Sequence, residues 1–217
     1  MADVEHEKQL AAEEAAELVE DGMRVGLGTG STVAYLLPAL AERRLDIRCV
    51  ATSVHTEQAG NSLGLKVEPF DRLERLDIAI DGADQVAPDC WLIKGGGAAL
   101  TREKVVAAAA DRFVVIVSAN KTVPALTVPV PLELLPFGLA STLARVAPTE
   151  VRDAPPSPDG GVIADYMGDL DDAAALAERL SVAGVVEHGL FPPELVAEVI
   201  VATGKEISRM APGQPPR

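Results

Sequence analysis

Aromatic residues are scarce in this chain: one Trp, two Tyr and four Phe, 3% of the sequence. With so few large rings, Ala, Val and Leu must do most of the packing. Cysteine is as rare. Cys49 and Cys90 permit at most one disulfide and form neither a disulfide framework nor a C-x-x-C pair, so buried, inert thiols are expected. His6, His55 and His188 show no ligand spacing, which argues against a metal site. His55 follows a strand end and is expected to be exposed. No apolar run approaches the ~20 residues that a membrane span requires. The opening MADVEHEKQL carries no apolar signal-peptide core. These features together predict a reduced, soluble, cytoplasmic protein. Positive charge is also short: 19 Lys and Arg against 33 Asp and Glu, a formal net charge of −14. Such a chain repels nucleic acid and anionic membranes, and repels anionic substrates at long range. Any phosphate site must therefore be built locally, from a few lysines and backbone N–H groups.

Apolar residues are plentiful, at 48% of 217. That supplies the core of one large domain, or of a domain with a smaller lobe. The stretch that organises the chain is DGADQVAPDCWLIKGGGAALTREK, from Asp81 to Lys104. The apolar run Leu76–Ile80 ends in Asp81 and Asp84, separated by Gly82-Ala83. After a short loop come Lys94, Gly95-Gly96-Gly97 and a helix-like segment carrying Glu103. Three carboxylates, one amine and a bare backbone loop are the components of an acid–base site.

Upstream, Val4–Val19 has the spacing of an amphipathic helix closed by Asp21-Gly22. Met23–Leu27 reads as a strand, Gly28–Thr32 as a tight turn and Val33–Arg43 as a helix. A strand over Asp46–Ala51, a helix over Thr56–Leu63 and a short strand at 66–68 follow. Beyond Leu76–Ile80, the Glu103 helix continues through Val105–Ala110, and Arg112–Ser118 is a strong strand ending at Asn120-Lys121. Strand alternating with helix predicts an α/β, Rossmann-like parallel sheet with helices on both faces. Ligands of such sheets bind beyond the carboxyl ends of the strands. Here those ends carry Gly28–Thr32, Thr52-Ser53, Asp81–Asp84, Lys94–Gly97 and Lys121.

Prolines become frequent after Lys121. The order strand (127–133), helix (137–146), strand (149–152), strand (161–165), helix (171–180), strand (185–190) is that of a smaller ferredoxin-like α+β lobe. The expected division is 1–126 for the Rossmann-like catalytic domain, with 204–217 returning to it, and 127–203 for the smaller lobe. Glu198–Thr203 and Glu206–Met210 read as a closing hairpin returning to the first lobe, and the tail APGQPPR as disordered. Trp91 is expected between the lobes or at a subunit contact.

Each motif has a plainer reading. In GLGTGSTV, Gly26, Gly28 and Gly30 invite a dinucleotide site, but Ser31 stands where the third glycine belongs. Thr52-Ser53 replace the expected ribose-binding acid, which disfavours a nicotinamide cofactor. What remains is a nest of N–H groups and the hydroxyls of Thr29, Ser31 and Thr32, suited to a phosphate monoester, or simply a turn with Ser31 or Thr32 as helix cap. Asp81 and Asp84 could be turn residues, Lys94 a surface lysine and Glu103 a solvated helix residue. Three successive glycines are harder to dismiss, because each glycine within a helix costs roughly 1 kcal/mol.

The segments GLGTGSTV, DGAD followed by KGGGAALTREK, and GVVEHGLF resemble, in order and spacing, those of the ribose-5-phosphate isomerase family of the A type. The likeness runs from Lys8 to about Gly204. It implies reversible interconversion of D-ribose 5-phosphate and D-ribulose 5-phosphate, an aldose–ketose isomerisation of the non-oxidative pentose phosphate pathway, without metal or cofactor. It gives the general base to Glu103 and sets Asp81, Asp84 and Lys94 around the reacting end of the sugar, with Gly82, Ala83 and Gly95–Gly97 beside them. It assigns the phosphate to Thr29, Gly30, Ser31 and Thr32, with Lys8 and Lys121 as cationic partners, and implies a homodimer. On that reading Glu103 moves a proton through a cis-enediolate, Lys94 and the Gly95–Gly97 N–H groups hold the developing oxyanion, Asp81 assists ring opening and Asp84 orients a hydroxyl. Two departures stand out. Gln85 replaces the family's usual Glu, and Ala164–Asp169 replaces its TDNGN turn. The rival readings are a non-catalytic sugar-phosphate sensor, for which the chain has no room for a DNA-binding module before its first strand, and a nucleotide-dependent oxidoreductase.

Overall fold

The computed structural model describes residues 2–214. Its larger sheet contains β1 (Arg24–Leu27), β2 (Arg48–Ala51), β3 (Lys66–Val67), β4 (Ile78–Asp81), β7 (Phe113–Ser118), β13 (Val196–Thr203) and β14 (Glu206–Met210). Their order is β14-β13-β7-β4-β1-β2-β3, parallel throughout except for the terminal β14. The helices that cover it are α1 (Ala2–Ala16), α2 (Val33–Arg43), α3 (Val54–Ser62) and α4 (Leu100–Ala108).

Strand β7 shows how the layers arise. Its run FVVIVS is buried at every position. Side chains alternate between faces, so Val114 and Ile116 join the apolar stripe of α1 (Ala11, Ala12, Ala15) and of α2 (Leu36, Leu37, Leu40). Phe113, Val115 and Val117 face the other way, onto Val106 and Ala107 of α4 and onto Phe191. Near-continuous apolar runs of this kind mark strands buried on both faces.

The smaller sheet contains β8 (Val130–Leu134), β9 (Thr149–Val151), β10 (Val162–Tyr166) and β11 (Val185–His188), in the order β11-β8-β10-β9 and antiparallel throughout. With α5 (Leu139–Arg145) after β8 and α6 (Ala173–Leu180) after β10, this is the ferredoxin-like arrangement. Its core gathers Leu132, Leu134, Tyr166, Leu176 and Leu180, with Trp91 packed against it.

A third sheet, β12-β6-β5, joins the two: β5 (Gln85–Val86), β6 (Leu92–Ile93) and β12 (Leu190–Phe191) pair antiparallel. The expected loop over 85–93 is therefore a hairpin, with Cys90 in a left-handed conformation at its turn (φ 67°). The expected single strand 185–190 breaks at Gly189, which donates to Pro131 O at 2.7 Å and accepts from Lys94 N at 2.9 Å. The chain there leaves one sheet for another. It rejoins the larger sheet at Val196, where β13 pairs with β7, and not at 204. Of the tail, Ala211–Gln214 form a turn closed by a 3.1 Å bond from Gln214 N to Ala211 O; Pro215–Arg217 lie outside the described residues.

Candidate active site

The site begins with strand register. Leu27 is level with Ala51 and Ile80, and Asp81 with Val115. The carboxyl ends of β1, β2, β4 and β7 therefore open at one rim. Gly28 follows β1 there because nothing larger fits: a Cβ on it would lie 1.9 Å from the Asp81 carboxyl group. That approach lets the Thr29 N–H donate to Asp81 Oδ1 at 3.0 Å, beside the Gly82 N–H at 2.7 Å.

Lys94 is delivered by the short β6 strand, locked by its N–H to Gly189 O. Its ammonium is buried, 3% exposed. It donates to Gly82 O at 2.6 Å and stands 2.9 Å from Asp81 Oδ2 and 3.4 Å from Glu103 Oε2. It also sits 5.5 Å from the centre of the Phe191 ring. Glu103, in the first turn of α4, is 4% exposed. Its Oε2 and Asp81 Oδ2 are buried, and among the described residues the contact that faces them is the ion pair to Lys94.

These positions set the protonation balance. Burial pushes Glu103 up to about 7; Lys94 opposes this, while Asp81 and Asp84 add to it. Burial also raises Asp81, against Lys94 and the two N–H donors. Burial would depress Lys94, but the attraction of Asp81 and Glu103 outweighs it and holds the ammonium charged. A carboxylate poised near neutrality next to a fixed cation can accept and return a proton at ordinary pH.

A cleft of about 110 Å³ opens in front of these groups. The turn Thr29–Thr32, Lys121, Gly82-Ala83-Asp84, Lys94–Gly97 and Glu103 line it. Thr32 occupies the cap position of α2 but makes no capping bond, so its hydroxyl is not committed to the helix. The Thr29 hydroxyl is committed, to Thr52 Oγ1 at 2.7 Å. Lys121 closes a 3-10 turn, Ala119–Lys121, whose Ala119 N–H donates to the buried Glu7.

The structure alters three readings. Asp81 does not line the cleft; it lies behind it, beneath Lys94 and Thr29. Lys8 stands apart, paired with Glu5 at 2.6 Å. The three glycine N–H groups are not equivalent, because that of Gly96 is taken by Asp84 Oδ2 at 2.8 Å. Sequence reasoning set Thr52 among the strand ends without giving it a role, and missed Phe191 and Arg152. The Arg152 guanidinium donates to Gly95 O at 3.0 Å and Gly96 O at 3.3 Å, and it comes from the other sheet, where no local pattern signals it. Among the described residues, no group of three or more His, Cys, Asp or Glu is arranged to hold a metal ion, and no helix is long and apolar enough to cross a membrane. His55 is exposed.

Residues 48–206 match the family model of ribose 5-phosphate isomerase A (phosphoriboisomerase A). A ribose-5-phosphate isomerase A of Caulobacter vibrioides is 45% identical, over 95% of this chain and 98% of its own. The crystal structure of ribose 5-phosphate isomerase A from Neisseria gonorrhoeae superposes with a TM-score of 0.91 at 29% identity, covering 97% and 98% of the two chains. A D-ribose-5-phosphate isomerase in complex with phospho-erythronic acid gives 0.89 at 34% identity, covering 96% and 99%. The chain belongs to the ribose 5-phosphate isomerase A family.

Proposed function

We propose that this chain interconverts D-ribose 5-phosphate and D-ribulose 5-phosphate by proton transfer through a cis-enediolate. The observation that carries this reading is the buried Glu103 carboxylate paired with Lys94, in the same cleft as a hydroxyl-bearing helix N-terminus. The phosphate rests on the N–H groups at the start of α2, with Ser31, Thr32 and Lys121. The open-chain sugar then reaches Glu103, which takes the C2 proton and returns it to C1, while the hydroxyl proton on O2 passes to O1. Positioned proton transfer of this kind contributes ~10²–10⁴-fold. Lys94 offsets the negative charge that develops on the sugar oxygens, with the loop N–H groups beside it; one such donor is worth roughly 3 kcal/mol. Asp84, which lines the cleft, orients a hydroxyl. Asp81 acts from behind, by fixing Lys94 and Thr29. The reaction needs neither metal nor nicotinamide on this account. We further propose two lobes, a homodimeric enzyme and a cytoplasmic setting.

The direct test is formation of ribulose 5-phosphate from ribose 5-phosphate with EDTA present and no NAD(P) added. Conversion under those conditions is expected. No conversion, or conversion only with added nicotinamide cofactor, would overturn the reading.

A further inference from the structure

The loop Gly95-Gly96-Gly97 is closed by one turn bond, from Ala98 N–H to Gly95 O at 3.1 Å, yet its proposed role needs one N–H aimed at the sugar. Arg152 adds a second constraint. It lies just after β9, and its side chain is about four-fifths buried. Two of its nitrogens grip Asp165 of β10 in a bidentate pair, both at 2.6 Å. The third, Nη1, reaches across to the carbonyl oxygens of Gly95 and Gly96. Every nitrogen of the guanidinium is thus in use, in the planar fork that arginine alone offers.

The consequence follows from peptide planarity. In a trans peptide the N–H points opposite to the preceding C=O. The peptide between Gly95 and Gly96 is held on both sides, its C=O by Arg152 and the Ala98 N–H, and its N–H by Asp84. The next peptide is held on one side only: its C=O faces Arg152, and the Gly97 N–H makes no hydrogen bond among the described residues. Gly97 lines the cleft. We infer that Arg152, fixed by Asp165, is a positioning residue that orients the Gly95–Gly97 peptides so that Gly97 offers its N–H to the sugar oxygen that becomes negative. Asp165 belongs to the altered segment Ala164–Asp169, so the smaller sheet takes part in the chemistry through this pair.

The inference rests on the isomerase reading, so the experiment separates the two. Activity of the unaltered protein tests the reading. Arg152→Ala, Arg152→Lys and Asp165→Asn test the inference. For Arg152→Ala, kcat is expected to fall about 30-fold, the scale of one misaligned oxyanion donor. KM and inhibition by inorganic phosphate should stay within about threefold, because the phosphate end is untouched. Affinity for phospho-erythronate, whose flat carboxylate resembles the enediolate, should drop by about the same factor as kcat. Arg152→Lys should recover little, since one ammonium cannot serve Asp165 and two carbonyls. Should Arg152→Ala fail to fold, Asp165→Asn is read instead, with kcat down about fivefold and phosphate inhibition unchanged. An active parent whose Arg152→Ala variant keeps kcat within threefold overturns the inference. So does a loss shared equally by kcat and phosphate affinity, which would make Arg152 only a strut between sheets.

Discussion

The chemistry depends on a small number of buried atoms with few choices. Glu103 sits where water cannot stabilise its charge, and this lifts its pKa to about 7. Its basic form exists above that value and disappears as pH falls through it. The activity kcat/KM should therefore decline below about pH 7, approaching tenfold per unit. Rates measured from pH 5 to 9 check this, and a profile flat down to pH 5 contradicts the assignment. Gly28 is the second pressure point. A methyl group there meets the Asp81 carboxyl at 1.9 Å, and Asp81 holds both Lys94 and the Thr29 N–H. Gly28→Ala should displace Asp81 and lower kcat/KM by at least about 100-fold, the scale of a roughly 1 Å misplacement in a catalytic site. A Gly28→Ala protein of parental activity would show that Asp81 has room to move. The Asp81–Lys94–Glu103 triangle brings together residues that the sequence placed in one stretch. The order within it, with Asp81 behind and Lys94 between, depends on β6 pairing with β12, nearly a hundred positions away, and was not legible.

At the scale of elements, α4 is the most consequential helix, because it carries Glu103. It has no side-chain cap at its start. Its first turn is instead tied to the smaller sheet: Thr101 Oγ1 donates to Glu133 Oε2 at 2.5 Å, and Ser157 Oγ donates to the other oxygen of the same buried carboxylate. Removing that acceptor strands two hydroxyl donors. Glu133→Ala should cost ~1–3 kcal/mol of stability, read as a lower urea midpoint, and should lower activity because Glu103 loses its anchor. A midpoint unchanged from the parent would show that α4 is held by other contacts. Elements with several turns or a clear alternation were readable, and α2 falls on Val33–Arg43 as its periodicity requires. The two-residue strands β5, β6 and β12 were not, since two residues carry no periodicity. The strand expected over 185–190 divides at Gly189, where the chain passes from β11 to β12.

For the whole molecule, the readable feature was alternation: strand then helix dictates a parallel sheet, and a parallel sheet collects its strand ends at one rim. That rule brought Thr29–Thr32, Asp84, Lys94–Gly97 and Lys121 to one cleft from four separate segments. It could not supply Arg152 or Glu133, which come from the ferredoxin-like part of the chain, or Phe191, which comes from β12 of the third sheet. Assembly is the remaining question at this scale. The proposed homodimer predicts a sedimentation mass twice the 22.7 kDa of the chain, and a species at 22.7 kDa across working concentrations would contradict it. The central claim, that one buried carboxylate moves the proton, is tested most directly by the turnover of Glu103→Gln with EDTA present. The account predicts a fall in kcat of at least about 10³-fold, toward the upper end of the range for positioned proton transfer, with inhibition by inorganic phosphate unchanged. Turnover within about tenfold of the parent would contradict it.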